Sequence, residues 1–130
     1  MNVDAFFQAV WTQDAEALAS FFASDAYVNW HCSNEHFTAA EYVRANCEYP
    51  GEWDGEIERI ETSGDLTIAA AYVHTKDGEL SFHVVSFIRV RERKIIALDE
   101  YWGDDGPAPQ WRLDKQIGAP IHAERNLNYG

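Results

Sequence analysis

Four segments of strand length follow one another between residues 53 and 102, and only short turns separate them. They span residues 53–62, 66–75, 80–91 and 94–102 and are rich in β-branched and aromatic residues. The turns fall at residues 63–64, 76–78 and 92–93. Strands joined by connections this short pair antiparallel with their neighbours, so the second half of the chain is predicted to form a β-meander.

The first half of the chain has the spacing of helices. A short strand is predicted at residues 26–32, after two apolar groups that recur at helical intervals: Phe6, Phe7, Val10 and Trp11, then Leu18, Phe21 and Phe22. Thr38 and Glu41 form a capping box that predicts a helix ending near Cys47. Helices followed by a meander predict an α+β fold, with N-terminal helices on the concave face of a curved, mixed and largely antiparallel sheet.

The length of 130 residues, 46% of them hydrophobic, is that of one domain with a sizeable core. We therefore predict a single domain over residues 1–130. Residues 104–130 contain three of the four prolines and show little periodicity. This segment is predicted to be an irregular C-terminal tail.

The chain is strongly acidic, with a formal net charge of −12 from 22 acidic and 10 basic residues. Such a charge repels phosphate backbones and anionic lipids, so nucleic acid and membrane partners are not expected. No segment approaches the roughly 20 apolar residues of a membrane-spanning helix. The N-terminus also lacks the basic and apolar regions of a signal peptide, so we expect a cytoplasmic protein.

The sequence offers no metal motif. Cys32 and Cys47 have neither the CxxC spacing nor a Cys/His cluster of the kind that binds zinc, and they are predicted to be reduced thiols rather than a disulfide. His31, Glu35 and His36 lie close together, but the segment supplies no third ligand at a known spacing. No metal site is therefore predicted.

The register of the last hairpin decides which acid faces the core. A two-residue turn at 92–93 pairs Arg91 with Lys94, and regular pairing beyond it places Ser86 beside Asp99 on the apolar face. Ala69 and Ala71 join that face and leave room beside the carboxylate. We therefore predict a cavity whose floor includes Asp99.

The same register places Glu100 on the opposite face of the sheet, in apolar surroundings. Its companions there are predicted to be Val85, Phe87, Leu98 and Trp102. An apolar sheet face is rarely left in water, so we expect a homodimer to form through it. A register slip of one residue would exchange the roles of Asp99 and Glu100.

Asp99 is the first candidate catalytic residue, because burial would raise the pKa of its carboxyl towards the range of an acid/base catalyst. The alternative is a structural Asp satisfied by Ser86, a backbone amide or an arginine. His31 is the second candidate, since an imidazole suits proton transfer near neutral pH. Its alternative is a surface or hydrogen-bonded structural histidine.

The candidate binding residues are those predicted to line the cavity: Trp30, Asn46, Trp53, Ser86 and Tyr101. Aromatic residues at strand spacing either pack the core or form a ligand surface. Asn46 lies late on the capped helix, where its amide could orient a ligand carbonyl or close the helix end. The expected ligand is a small apolar or mixed-polarity molecule that is neutral or cationic.

The order of these elements resembles the nuclear-transport-factor-2-like superfamily, in its SnoaL-like branch. The resemblance is carried by residues 28–31 with 34–37, and by residues 98–106 with 111–112. It covers about residues 3–113 and implies a cone-shaped, usually dimeric α+β barrel with a pocket between the helices and the concave sheet. Relatives such as ketosteroid isomerases, polyketide cyclases and epoxide hydrolases use pocket carboxylates or histidines without a metal or organic cofactor.

The resemblance implies a pocket acid within a late strand, the kind of position that Asp99 occupies. The sequence departs from the arginine-bridged acid pair of the epoxide hydrolases and from the tyrosine-plus-two-acids set of the isomerases. Two hypotheses follow. One is a cofactor-independent acid/base isomerase, cyclase or hydrolase acting on a largely apolar ligand, and the other is a non-catalytic ligand-binding or dimerisation domain of the same fold.

Overall fold

The computed structural model describes residues 1–125, in which four helices and six strands form one α+β unit. In chain order they are α1 (Val3–Thr12), α2 (Ala15–Ser20), β1 (Phe22–Trp30), β2 (Glu35–Thr38), α3 (Ala39–Cys47), β3 (Trp53–Ser63), β4 (Leu66–Thr75), β5 (Ser81–Arg91), β6 (Lys94–Asp104) and α4 (Gln110–Asp114). The helices, the meander and the α+β class agree with the sequence prediction.

Local side-chain hydrogen bonds fix where the helices begin. Asn2 and Asp14 accept the backbone N–H of the third residue after them, at the starts of α1 and α2. Thr38 and Glu41 make both bonds of the predicted capping box at the start of α3. Each bond satisfies an N–H that the helix itself leaves unpaired, so the sequence sets these boundaries locally.

The six strands form a curved, open sheet in the order β2-β1-β6-β5-β4-β3. All neighbours are antiparallel except β1 and β6, which run parallel, so the sheet is mixed. β1 begins at Phe22 rather than at residue 26, and the short strand β2 was not predicted. The helices cover the concave face, where Phe6, Phe7 and Leu18 pack in the core.

A β-bulge in β6 changes the predicted register. The turn pairs Arg91 with Lys94 and Val90 with Ile95 as expected, but Arg89 then pairs with Ala97. Ile96 is the extra residue. Ile95 and Leu98 are both fully buried although they are three positions apart, a spacing that would put them on opposite faces of a regular strand. The bulge brings both side chains to the core.

The predicted placement of Asp99 in the concave face is therefore wrong. Ser86 pairs with Glu100, which is 1% exposed, whereas Asp99 pairs with Phe87 on the outer face. Tyr101 moves to the outer face with Asp99. Leu98 and Trp102, predicted on the outer face, lie on the concave side instead.

The outer face keeps an apolar surface of different composition. Val85 and Phe87 lie on it as predicted, and the remaining members of the surface are Tyr27, Leu66, Ile96 and Tyr101. Ala69, Ala71 and Val73 pair with Ser86, Val84 and Phe82 on the concave side, which is the face predicted for Ala69 and Ala71.

The described part of the predicted tail is less irregular than expected, because residues 110–114 form α4, and residues 126–130 lie outside the described residues. Asp105 anchors its start through the side chains of Ser81 and His83 on β5. Arg125 lies over the ring of Tyr72, 3.9 Å from the centroid, and pairs with Glu56 on β3. Among residues 1–125, no helix is long and apolar enough to cross a membrane.

Candidate functional site

A cavity of about 500 Å³ opens between α1, α3 and the concave face of the sheet. Its volume lies within the usual range of small-molecule sites. Six of its fifteen lining residues are aromatic and form what we call the aromatic wall: Trp11, Trp30, Tyr49, Trp53, Phe82 and Trp102. Three predicted binding residues, Trp30, Asn46 and Trp53, belong to the lining.

The aromatic rings touch one another around the cavity. The ring centroids of Tyr49 and Trp53 are 5.2 Å apart, and those of Trp53 and Phe82 are 5.8 Å apart. Trp102 meets Phe82 at 6.2 Å and Trp30 at 6.3 Å, with steep angles between the ring planes. Three of these four pairs are edge-to-face and stabilise each other, so five of the six wall rings form one connected cluster.

Glu100 lies behind this wall and accepts hydrogen bonds from three side chains. The indole Nε1 atoms of Trp30 and Trp102 donate to its Oε1 at 3.0 and 3.3 Å. The hydroxyl of Ser86 donates to Oε2 at 2.5 Å. Ser86 therefore contacts the buried acid, as predicted for Asp99, but does not itself line the cavity.

Burial raises the pKa of the Glu100 carboxyl, and its three donors oppose that rise. Tyr42 packs nearby against Trp30, and its hydroxyl is buried without a hydrogen-bond partner in the described part of the chain. Burial raises the pKa of Tyr42 well above its ordinary value, and the nearby Glu100 charge adds to the effect. The interior beneath the two indoles thus disfavours negative charge.

The two predicted catalytic residues meet each other, but outside the cavity. Nε2 of His31 lies 2.7 Å from Oδ1 of Asp99, and the amide of Asn29 donates to the same oxygen at 3.1 Å. The imidazole stacks on the ring of Tyr101 with 4.5 Å between centroids. His31, Asp99 and Tyr101 therefore form a half-exposed cluster on the outer face, separate from the cavity.

Several residues of the site were missed, and one cause accounts for the lining residue Trp102 and for Glu100 behind it. Both lie an odd number of positions after Asp99, so a strand without the bulge would place them on the outer face when Asp99 faces the core. Trp11, Tyr49 and Phe82 also belong to the aromatic wall, but the local sequence of a cavity-lining aromatic residue does not differ from that of a core aromatic residue.

Glu35 and Asp104 are the only charged residues of the described lining. No cluster of three or more metal-ligand side chains occurs within residues 1–125.

The fold and cavity define a class: an α+β protein with an aromatic cavity between N-terminal helices and a curved sheet. The family model of the SnoaL-like domain matches residues 3–98, and the chain belongs to this family. No curated protein matches the sequence.

Solved structures share the fold at low sequence identity. A protein from Kribbella flavida, provisionally named a ketosteroid isomerase, is 22% identical, covers 94% of this chain and 88% of its own, and has a TM-score of 0.75. An NTF-2-like protein of unknown function from Burkholderia xenovorans is 24% identical over 92% of both chains, with a TM-score of 0.73.

A third neighbour, from Catenulispora acidiphila, has a ketosteroid isomerase-like fold and was solved in complex with trimethylamine. It is 18% identical, covers 76% of this chain and 82% of its own, and has a TM-score of 0.64. At these identities the likeness concerns the fold.

Proposed function

We propose that this protein binds a small, largely apolar organic molecule in the cavity on the concave face. The observation that carries the proposal is the cavity itself, about 500 Å³ in volume and walled by six aromatic side chains. A cavity used only for packing would be filled by core residues, because protein interiors are close-packed. The neighbour solved with trimethylamine supports occupancy by a small molecule in this fold.

Filling the cavity tests binding. Ala45 lines the cavity, and Ala40 is exposed on the same helix, so Ala45→Phe and Ala40→Phe add the same ring inside and outside the site. We expect Ala45→Phe to abolish the quenching of tryptophan fluorescence by a small apolar probe such as cyclohexanone, and Ala40→Phe to leave it intact. Equal quenching in both variants would refute the proposed site.

Acid/base catalysis on the bound molecule is a second candidate function, and the burial of Glu100 favours it. A carboxyl whose pKa is raised by burial holds its proton to a higher pH than an exposed carboxyl, as a general acid/base requires. Glu100 is one side chain away from the cavity, since the Trp30 and Trp102 indoles that it contacts form part of the wall. Proton transfer would therefore require the indoles to move aside.

Exchange of α-hydrogens in cyclohexanone, followed by NMR in D₂O, reads out this chemistry without a cofactor. We expect Glu100→Gln to abolish the exchange that the wild-type protein catalyses. Asp99→Asn is the matched control and also tests the sequence-derived role of Asp99 and His31. Loss of exchange in Asp99→Asn alone would move the chemistry to the outer face, and no exchange in the wild type would leave binding as the function.

The homodimer remains a proposal, now with a corrected surface. Tyr27, Leu66, Phe87, Ile96 and Tyr101 form the apolar outer surface that a second copy could cover. We expect Phe87→Glu to give a monomer in size-exclusion chromatography. Leu80→Glu, at an exposed apolar residue beside the 76–78 turn, should leave the dimer intact. A monomeric wild-type protein would refute the dimer.

A cytoplasmic location is likewise proposed, and the state of the thiols supports it. Cys32 is exposed and Cys47 half-buried, and both are free. Unpaired exposed thiols are typical of reducing compartments. Cell fractionation, with the protein recovered outside the cytosolic fraction, would contradict this location.

A further inference from the structure

The charges of the cavity lining are all of one sign. Glu35 and Asp104 are its charged residues, and the described lining contains no lysine, arginine or histidine. The whole chain adds to this field, with a formal net charge of −12. A negative potential focused in a cleft attracts cations and repels anions, so an anionic ligand is disfavoured.

The aromatic wall is also suited to a cation. Aromatic rings carry partial negative charge on their faces and attract an ammonium group placed over them, most strongly for tryptophan. Three of the wall rings belong to Trp30, Trp53 and Trp102, and the steep angles between neighbouring rings give the wall differently oriented rings. Groups of rings arranged in this way can surround a methylated ammonium.

Several hydrogen-bond donors beside the cavity are engaged by the protein, whereas the indole N–H of Trp53 is buried without a partner in the described part of the chain. The Trp30 and Trp102 indole N–H groups point to Glu100, which places a carboxyl behind the rings. The amide of Gln13 donates to the backbone carbonyls of Asn46 and Tyr49 at 2.9 and 2.7 Å. The amide of Asn46 donates to the carbonyl of Val10 at 2.9 Å.

The two carboxylates and the aromatic rings of the lining favour a positively charged ligand. A tertiary or quaternary ammonium needs few hydrogen-bond donors from the protein, so the engagement of the indole and amide donors does not weaken its binding.

We propose that the cavity selects a small organic cation, a tertiary or quaternary ammonium compound. This inference rests on the proposed function, because it names the ligand class of the same cavity. It goes further because it gives the aromatic wall the role of binding a positive charge in addition to burying apolar surface. Glu35 and Asp104 supply the long-range attraction, and the rings supply the contact.

The test compares choline with 3,3-dimethyl-1-butanol, in which carbon replaces the charged nitrogen. Binding is measured by tryptophan fluorescence and by titration calorimetry at about 0.15 M salt. We expect choline to bind at least about tenfold more tightly, which corresponds to about 1.4 kcal/mol. Equal affinities, or tighter binding of the alcohol, would overturn the inference and leave the proposed small-molecule site standing. Binding of neither compound would overturn it too, and if cyclohexanone also failed to bind, the proposed function itself would be refuted.

Two matched pairs of variants locate the effect. Phe82→Leu removes a wall ring but keeps apolar volume, and Phe87→Leu makes the same change on the outer face. Asp104→Asn removes a charge at the cavity, and Asp25→Asn removes one from an exposed position of β1. We expect the first member of each pair to weaken choline about threefold or more and to spare the alcohol. Equal effects within a pair would count against the inference.

Discussion

The β-bulge at Ile96 can be tested with two residues of identical composition. Ile96 and Leu98 are isomers two positions apart, so a regular strand would place both on the same face and make their truncations similar in cost. The bulge instead leaves Ile96 partly exposed on the outer face and buries Leu98 completely. Ile96→Ala and Leu98→Ala therefore distinguish the two registers.

The expected costs follow from burial. Removing a fully buried leucine side chain down to alanine costs about 2–5 kcal/mol, because the lost transfer free energy is joined by that of a cavity. Truncating Ile96 leaves no closed cavity and exposes little new surface, so we expect roughly 1 kcal/mol. With a urea m value of about 2 kcal/mol/M, a 3 kcal/mol loss lowers the unfolding midpoint by about 1.5 M.

The assay is urea unfolding followed by tryptophan fluorescence at two protein concentrations. Comparing the two concentrations shows any contribution of self-association to stability, which has to be measured because Ile96 lies on the proposed dimer surface. Midpoint shifts of equal size for the two variants, with unchanged m values, would refute the bulge. They would also restore Asp99 to the concave face and remove the structural basis of the cavity site.

Three further outcomes are expected from equilibrium unfolding. Thr38→Ala should cost about 1 kcal/mol, because it breaks the capping box of α3; no loss would refute the cap. Gly55→Ala should destabilise strongly, since its Cβ would lie 2.6 Å from Trp11 and 2.8 Å from the Tyr72 carbonyl oxygen. Gly103→Ala, with open space around it, should change little, and equal losses would refute this contact. Burial raises the pKa of Glu100 above 4.5 in the folded state, which therefore binds the proton more tightly than the unfolded state does. The free energy of unfolding should then fall as pH rises from about 4.5 through the folded pKa. Glu100→Gln should flatten this decline, and an unchanged pH profile would exclude Glu100 as its cause.

How much of the fold could be predicted depends on how local its determinants are. The cap at Thr38 and the turn at 92–93 lie within a few residues of sequence, and both were found. The strand β2 was missed because it has four residues and exists through its pairing with β1. Phe22 fits the preceding helical spacing, yet the chain leaves the helix at Phe21 and begins β1.

The candidate site was harder to predict because one apolar run hides the bulge. Residues 95–98 are all apolar, so alternation cannot show which of them faces the core. Because the bulge shifts every later residue of β6 by one position, the prediction exchanged the faces of Asp99 and Glu100. Trp30, Asn46 and Trp53 lie outside that strand, and all three line the cavity.

The pairing of β6 with β1 explains why the shifted register is the stable one. In the parallel ladder Trp30 stands beside Glu100 and Asn29 stands beside Asp99. Each acid thus meets a donor from β1 on its own face: the indole of Trp30 inside, and the amide of Asn29 outside. Trp102, two residues after Glu100, adds a second indole to the buried carboxyl. Without the bulge Asp99 would point inward with a shorter side chain, and Glu100 and Trp102 would turn outward together. A buried carboxyl left without donors is costly, so hydrogen bonding as well as apolar packing favours the bulge.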